Sequence, residues 1–246
     1  MPRAFNVTFP NGHTASAANV QNYAELVEVL IEMGLNQPRP TIVLVGGAAG
    51  LQSKDLERLR PLFAEALVPL AHRLDAAVID GGTDTGVMAL MGQSRNDATA
   101  DFPLIGVLPA SMVTLSDKSQ QGSRGLRVEP NHSHFILVPG SLWGDETAWM
   151  TSTVEAMTGD GACVTVLLDG GETAWEDVAE SVRAERPVIV VGGSGRVADI
   201  LAAALGGAES DQRALGLAKS GFLQSVRFEQ GPAALIEAIT GVLSAP

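Results

Sequence analysis

The stretch Ala76-Ala77-Val78-Ile79-Asp80-Gly81-Gly82-Thr83-Asp84-Thr85-Gly86-Val87-Met88 decides the fold. Ala76–Asp80 is a short apolar run, too compact for a helix and of the kind that forms a strand buried on both faces. A glycine turn follows, and helical periodicity begins at about Thr85 and runs to Asn96. This is a strand, a tight turn and a helix in one short span.

The same unit repeats outward in both directions. Further apolar runs lie at Thr41–Val45, Leu104–Leu108, Phe135–Val138, Val164–Leu168 and Pro187–Val191. Amphipathic stretches follow most of them, at about Lys54–Leu74, Asp145–Thr158, Thr173–Ala184 and Val197–Leu205. Parallel strands need such crossovers, so the alternation predicts an α/β architecture with a doubly wound, mainly parallel sheet and helices on both faces. Before this body, Phe5, Val7 and Phe9 alternate with Asn6 and Thr8 and lead into Asn11-Gly12, a hairpin signal. A helix is expected over Asn22–Met33. After the body, a helix (Asp211–Lys219), a strand (Leu223–Phe228) and a closing helix (Pro232–Leu243) are expected. The chain thus reads as one domain over 1–246, with an N-terminal hairpin and helix (1–38), a main body (41–205) and a C-terminal extension (206–246). Ala110–Glu129 lacks periodicity and reads as a long surface loop of the kind that forms lids.

Composition narrows the function. The 246 residues carry a net charge of −12, with 46% hydrophobic and 18% charged residues. Such a surface repels nucleic acid and anionic lipid, so any phosphate site must act locally. The single cysteine, Cys163, lies in an apolar run and reads as a small buried hydrophobe; it excludes an intrachain disulfide and a cysteine-based zinc site. Met1–Asn6 lacks a secretory apolar region, and no stretch reaches the ~18 apolar residues of a membrane span. The expectation is a cytoplasmic protein without membrane insertion.

The strand ends carry paired glycines: Gly46-Gly47 before Ala48, Gly81-Gly82 with Gly86, Gly170-Gly171, and Gly192-Gly193 with Gly195. In a parallel sheet these turns share the carboxyl edge, where open α/β sheets bind ligands. Glycine lets an anion approach the backbone, and the next helix's N–H groups attract it. Tight turns and close packing explain any single pair equally well. Gly193-Ser194-Gly195-Arg196-Val197-Ala198 fits G-x-G-x-x-A after a strand. No acidic residue ends the next strand at the required distance, which argues against ordinary dehydrogenase chemistry. Arg196 at a helix start opposes the dipole, so it needs either a bound phosphate or a carboxylate, Asp199 or another.

The remaining candidates differ in character. Thr83, Asp84 and Thr85 can cap a helix, Asp84 above all, or bond ribose and phosphate oxygens. The turn Gly140–Glu146 carries Asp145 and Glu146, which repel phosphate and suit a ribose, a base amine or a metal ion. Its Trp143 can stack on a base or simply pack. Asn131 and His132 precede a strand; His132 and His134 share a face but lack further ligands for a metal, so a ligand contact or a structural hydrogen bond is expected. Glu172 and Glu176 flank a helix start and fit acid/base work at a sugar or ordinary surface positions. There is no phosphate-loop lysine and no nucleophile elbow.

Taken together, Asp80–Met88, Glu129–Phe135 and Gly193–Asp199 resemble the SLOG superfamily, and most closely its prokaryotic LSDAT branch, related to the cytosolic N-terminal domain of melastatin-type TRP channels. The resemblance spans about Thr41–Leu205. It implies a Rossmann-like fold that binds nucleotides or their derivatives. In the channel domain the ligand is ADP-ribose-like and is contacted by the glycine loops and by the arginine that matches Arg196. The superfamily also holds phosphoribohydrolases with a PGGxGTxxE pattern. Here Asp169-Gly170-Gly171-Glu172-Thr173-Ala174-Trp175-Glu176 replaces the proline and lacks one glycine, but Glu176 keeps the TxxE spacing.

Three readings follow. The first is a sensor of an ADP-ribose-like nucleotide, contacted from Gly46–Ala48, Gly81–Gly86, Asn131-His132, Trp143, Gly170–Thr173 and Gly193–Arg196, with no metal. The second is a nucleotide N-glycosidase with Glu176 as the catalytic acid/base. The third is a non-catalytic, self-associating assembly module whose glycines only pack. A homo-oligomer is compatible with all three.

Overall fold

The computed structural model describes residues 4–48, 50–115, 125–159, 161–209 and 211–244. Nine strands form one sheet. In chain order its members include β1 (Phe5–Thr8), β2 (Thr14–Asn19), β3 (Thr41–Gly46), β4 (Ala77–Asp80) and β5 (Leu104–Pro109). Two short strands, β6 (Val113–Thr114) and β7 (Leu126–Arg127), pair with each other outside it. The main sheet resumes with β8 (His134–Val138), β9 (Cys163–Leu168), β10 (Val188–Gly192) and β11 (Leu223–Arg227). Its order is β1-β2-β8-β5-β4-β3-β9-β10-β11. Every pairing is parallel except that of β1 with β2.

The helices are α1 (Tyr23–Glu32), α2 (Ser53–Leu62), α3 (Val68–Arg73), α4 (Gly86–Asp97), α5 (Thr147–Thr158), α6 (Thr173–Arg183), α7 (Arg196–Leu205), α8 (Gln212–Ala218) and α9 (Gly231–Leu243). They cover both faces because strand side chains alternate. Val43 and Val45 of β3 join a core with α1, α5, α6 and α7. Ile42 and Leu44 of the same strand join the opposite core, with α2, α3, α4 and α9. The architecture is therefore α/β and Rossmann-like. The segment after 206 supplies the edge strand β11 and, from α9, the buried Leu235 and Ile239.

Three local differences from the sequence reading have physical causes. The single helix expected over Lys54–Leu74 is interrupted by a π turn at Phe63–Leu67, where the Val68 N–H returns to the Phe63 carbonyl. Pro69 has no N–H to give the Glu65 carbonyl and its ring crowds that group, so the wider π turn accommodates it. Asp84 does not cap α4. Thr85 takes the N-cap position, and the Asp84 N–H goes instead to the Arg127 carbonyl at 2.8 Å. The stretch Ala110–Glu129 is ordered at both ends. β6 pairs with β7, and Val128 and Glu129 lie buried against the Gly82–Asp84 turn. Residues 116–124, on which the lid reading also rested, lie outside the described residues.

The sheet has one switch point. From β3 the chain winds outward through β4, β5 and β8, then crosses back to β9 on the other side of β3. The two turns there lie close together. The Val87 N–H donates to the Gly47 carbonyl at 3.0 Å. Gly86 has φ +58, and a Cβ on it would overlap that same carbonyl. Gly86→Ala is expected to destabilise the protein by on the order of 3 kcal/mol, since strain and overlap add. Gly12→Ala, also at positive φ but with nothing within 4 Å of its Cβ, is expected to cost about 1 kcal/mol. Urea midpoints at unchanged slope measure both.

Candidate functional site

A cavity of about 410 Å³ opens at the switch point. That is within the range of small-molecule and cofactor sites. Of the residues singled out in the sequence it brings together Gly46, Ala48, Gly81, Thr83, Thr85, Trp143, Gly171, Glu172, Thr173 and Arg196. Leu44, Val45, Met88, Leu126, Glu146, Met150 and Asp177 complete its wall.

The glycines divide into two kinds. A Cβ on Gly46 would overlap the Leu168 carbonyl, and on Gly47 the Asp169 carboxylate. Gly82 lies against Gly106, Gly170 against Ala174, and Gly195 against Asp169. These glycines let backbone or side chains approach closely. Gly81 and Gly171 are different. Neither has positive φ, nothing lies within 4 Å of a Cβ on Gly81, and Gly171 meets only Arg196 Nη1 at 3.6 Å. Both face the cavity and leave its wall as bare backbone.

Arg196 meets a carboxylate, though not Asp199. Its Nε lies 2.9 and 3.0 Å from Asp169 Oδ1 and Oδ2, and its Nη2 also bonds Oδ2. The buried Asp169 raises the guanidinium's pKa by hydrogen bonding. Both residues have positive φ, 61° for Asp169 and 32° for Arg196, a conformation that non-glycine residues hold only under surrounding constraint. Asp199 serves elsewhere: its Oδ1 accepts the Gly193 and Gly195 N–H groups at 2.6 and 3.2 Å. The Gly193-Ser194-Gly195 turn is thus filled from within the protein. Ser194 is buried, bonding the Val191 carbonyl and the Asp169 N–H, and Arg58 bonds the Gly193 carbonyl.

The start of α6 has no side-chain cap, although its Ala174 and Trp175 N–H groups turn back to the Gly171 and Glu172 carbonyls at 3.2 and 3.3 Å. Its N-cap Glu172 makes no side-chain capping bond, and the flanking Gly171 and Thr173 line the cavity. Glu172 itself bonds Arg213 at 2.6 Å, and Arg213 stacks over Trp175. α4 also begins at the cavity, where Thr83 and Thr85 hydroxyls meet at 3.0 Å.

Acidic groups occupy the other end. Glu146 accepts the Gly144 N–H at 2.8 Å, and burial raises its pKa. Asp177 accepts the Thr147 hydroxyl at 2.5 Å, and burial pushes its carboxyl up to about 7. Glu176, the sequence's catalytic candidate, is not on the wall. It points to solvent and pairs with Arg183. Positions 176 and 177 are both about one turn beyond Thr173, and it is the rotation of α6 that sets Asp177 on the cavity wall and Glu176 in solvent.

Asn131 and His132 lie behind the cavity wall rather than on it. His132 is fully buried between two carboxylates, with Nδ1 2.8 Å from Glu129 Oε2 and Nε2 2.9 Å from Asp80 Oδ1. Burial alone lowers its pKa, but Asp80 and Glu129 outweigh that and raise it to about 9. Asn131 braces Glu129 through its N–H at 2.8 Å and its amide at 2.6 Å. Asp80 Oδ1 also accepts the Gly82 N–H at 2.6 Å, so this cluster holds the Gly81-Gly82 turn from beneath. Asp84 faces a separate, smaller cleft beside Asn11 and Arg127. Among the described residues no group of three His, Cys, Asp or Glu side chains is placed to hold a metal ion. No helix among them is long and apolar enough to cross a membrane. Cys163 is half-buried at the start of β9.

Residues 39–237 match the family described as SLOG in TRPM, prokaryote. The chain belongs to this family. The match takes in every turn of the cavity and leaves β1, β2 and α1 outside it. Curated relatives of this SLOG chain include the transient receptor potential cation channel subfamily M member-like 2 of Nematostella vectensis, 27% identical over 210 residues. Another is subfamily M member 2 of Mus musculus, 28% identical over 204 residues. These alignments cover 70% and 69% of this chain but only 13% of each channel. A solved structure, the X-ray structure of the structural-genomics target TM1055, superposes with a TM-score of 0.51 at 19% identity, over 81% of this chain and 99% of that one. At that identity the likeness concerns the fold.

The His132 cluster makes a prediction about pH. Because the folded pKa lies above the unfolded value of 6.5, its contribution is complete below about pH 6.5 and is lost as pH rises through about 9. His132→Gln, which leaves the two carboxylates unpaired, is expected to cost on the order of 3–5 kcal/mol at neutral pH. Thermal midpoints between pH 6 and 10 should show the wild type approaching the variant at the alkaline end.

Proposed function

We propose that this protein binds a phosphate-bearing, nucleotide-derived ligand, of the ADP-ribose type, in the switch-point cavity, and that it acts as a ligand sensor. The observation that carries the reading is the pair Gly81 and Gly171. Neither glycine is required by backbone conformation or by packing, and both present bare backbone to the same cavity. Beside Gly171 stands the uncapped start of α6, whose N–H groups favour an anion. Arg196 reaches the same place, with Asp169 fixing its guanidinium plane. An arginine held this way meets a phosphate without first losing side-chain entropy. The membership in the SLOG family, and the resemblance of these turns to those that contact ADP-ribose in the channel domain, support the same assignment. Trp143 supplies a flat apolar surface for a base at the acidic end.

The placement of Glu176 in solvent, tied to Arg183, gives the glycosidase reading no support from that residue. The filled Gly193–Gly195 turn leaves phosphate recognition to Gly81, the α6 start and Arg196.

Titration calorimetry and thermal shift with ADP-ribose, its cyclic relatives, NAD and nucleoside monophosphates test the proposal. At a ligand concentration of 100 Kd the stabilisation should reach about 2.7 kcal/mol, or on the order of 5–10 °C for a chain of this size. Gly171→Val should cover the bare backbone beside the α6 start, leave the unliganded midpoint within about 2 °C, and weaken binding at least ~10-fold. Arg196→Ala should weaken it by about 10- to 100-fold, the range of a lost charge-assisted bond. Stabilisation by none of these compounds would overturn the reading.

A further inference from the structure

We propose that Asp177 is the specificity-determining residue of the cavity, accepting a hydrogen bond from the vicinal hydroxyls of a ribose in the bound nucleotide. The inference rests on the functional reading above and assigns the part of the ligand that faces the acidic end.

Geometry supplies the argument. Asp177 follows Thr173 by four residues on α6, so both side chains lie on one helix face, and both line the cavity. The anion-attracting start of α6 and the Asp177 carboxyl are therefore separated by about one helical turn, ~5.4 Å. In a nucleotide the ribose 2′ and 3′ hydroxyls stand at a similar distance from the 5′-phosphorus. The exocyclic amine of the base lies considerably further. A phosphate at Gly171–Thr173 thus brings the sugar, rather than the base, to Asp177.

The chemistry of the carboxyl agrees. Oδ1 is already engaged by the Thr147 hydroxyl at 2.5 Å, which fixes the side chain. Among the described residues no hydrogen bond reaches Oδ2. Asp177 is partly buried and lines the cavity, so Oδ2 is an acceptor open to a donor on the ligand. Glu146, on the same wall, adds a second acceptor, as a diol requires. The same two carboxyls disfavour a second phosphate at this end, which sets the direction of the ligand: phosphate toward Arg196, sugar toward Asp177. The preference is for hydroxyls, and a site built to bond one should discriminate strongly against the deoxy compound that lacks it.

The test is calorimetric. Wild-type protein is titrated with ADP-ribose and with analogues lacking the hydroxyls of the adenosine ribose or of the terminal ribose. At least one analogue should bind ~10-fold or more weakly than the parent, and which one identifies the ribose at Asp177. Asp177→Asn should bind the parent as weakly as that analogue and no longer distinguish the two. Glu176→Gln, at the neighbouring solvent-facing position, should discriminate as the wild type does. Asp177→Ser gives the same reading if the amide does not fold. Wild type that binds parent and both analogues equally, or Asp177→Asn that keeps the full discrimination, overturns this inference alone. Wild type that binds neither ADP-ribose nor any of the other nucleotides named above overturns it together with the functional reading.

Discussion

The contact between the Gly47 carbonyl and the start of α4 is the constraint on which the site depends. It joins the ends of two neighbouring parallel strands, β3 and β4, so tightly that no side chain fits between them. On its other side the Asp169–Arg196 pair packs against Gly47. Three consecutive strand ends, those of β4, β3 and β9, are thereby fixed relative to one another. The cavity is the space left above them. Its floor is rigid because its glycines are mostly consumed by these close approaches.

Electrostatics then divides the cavity. One end has the open start of α6 and a guanidinium held by a buried carboxylate. The other has Glu146 and Asp177, both with pKa values raised by burial. The ionisable groups at and behind the cavity have partners: Asp169 for Arg196, Thr147 for Asp177, Asp80 and Glu129 for His132. The last of these is wholly out of solvent. Such a cluster costs much to break, because removing one member strands a buried charge, and it lies directly beneath the Gly81-Gly82 turn that it holds.

In a protein with a net charge of −12, the proposed anion site works against the protein's own field. The division of the cavity resolves this locally. Asp199 occupies the one helix start at β10, and Arg213 draws the Glu172 side chain toward itself at the α6 start. The remaining donors are concentrated at a single place.

The sequence by itself determined the layers. Short apolar runs alternating with amphipathic stretches admit few arrangements besides a doubly wound parallel sheet, because strands buried on both faces must be joined by covering helices. It also placed the glycine turns at one edge, and so located Gly81, Gly171 and Arg196. It could not say which glycines face a ligand and which another part of the chain, since both uses select the same residue. Nor could it choose the partner of Arg196. Asp169 lies 27 positions away and meets it only because β9 and β10 are neighbours, whereas Asp199 was the nearer candidate along the chain. The exchange of Glu176 for Asp177 turned on the rotation of α6 about its axis, which a conserved-looking TxxE spacing does not report. His132 read equally as a ligand contact or as a structural hydrogen-bonding residue, and only the fold, by bringing Asp80 from 52 positions away to its ring, gave it the second role. Local pattern fixes which elements form, because periodicity and turn chemistry are short-ranged. Which side chains meet in the cavity depends on strand order and helix rotation, and those are settled only when the whole sheet is assembled.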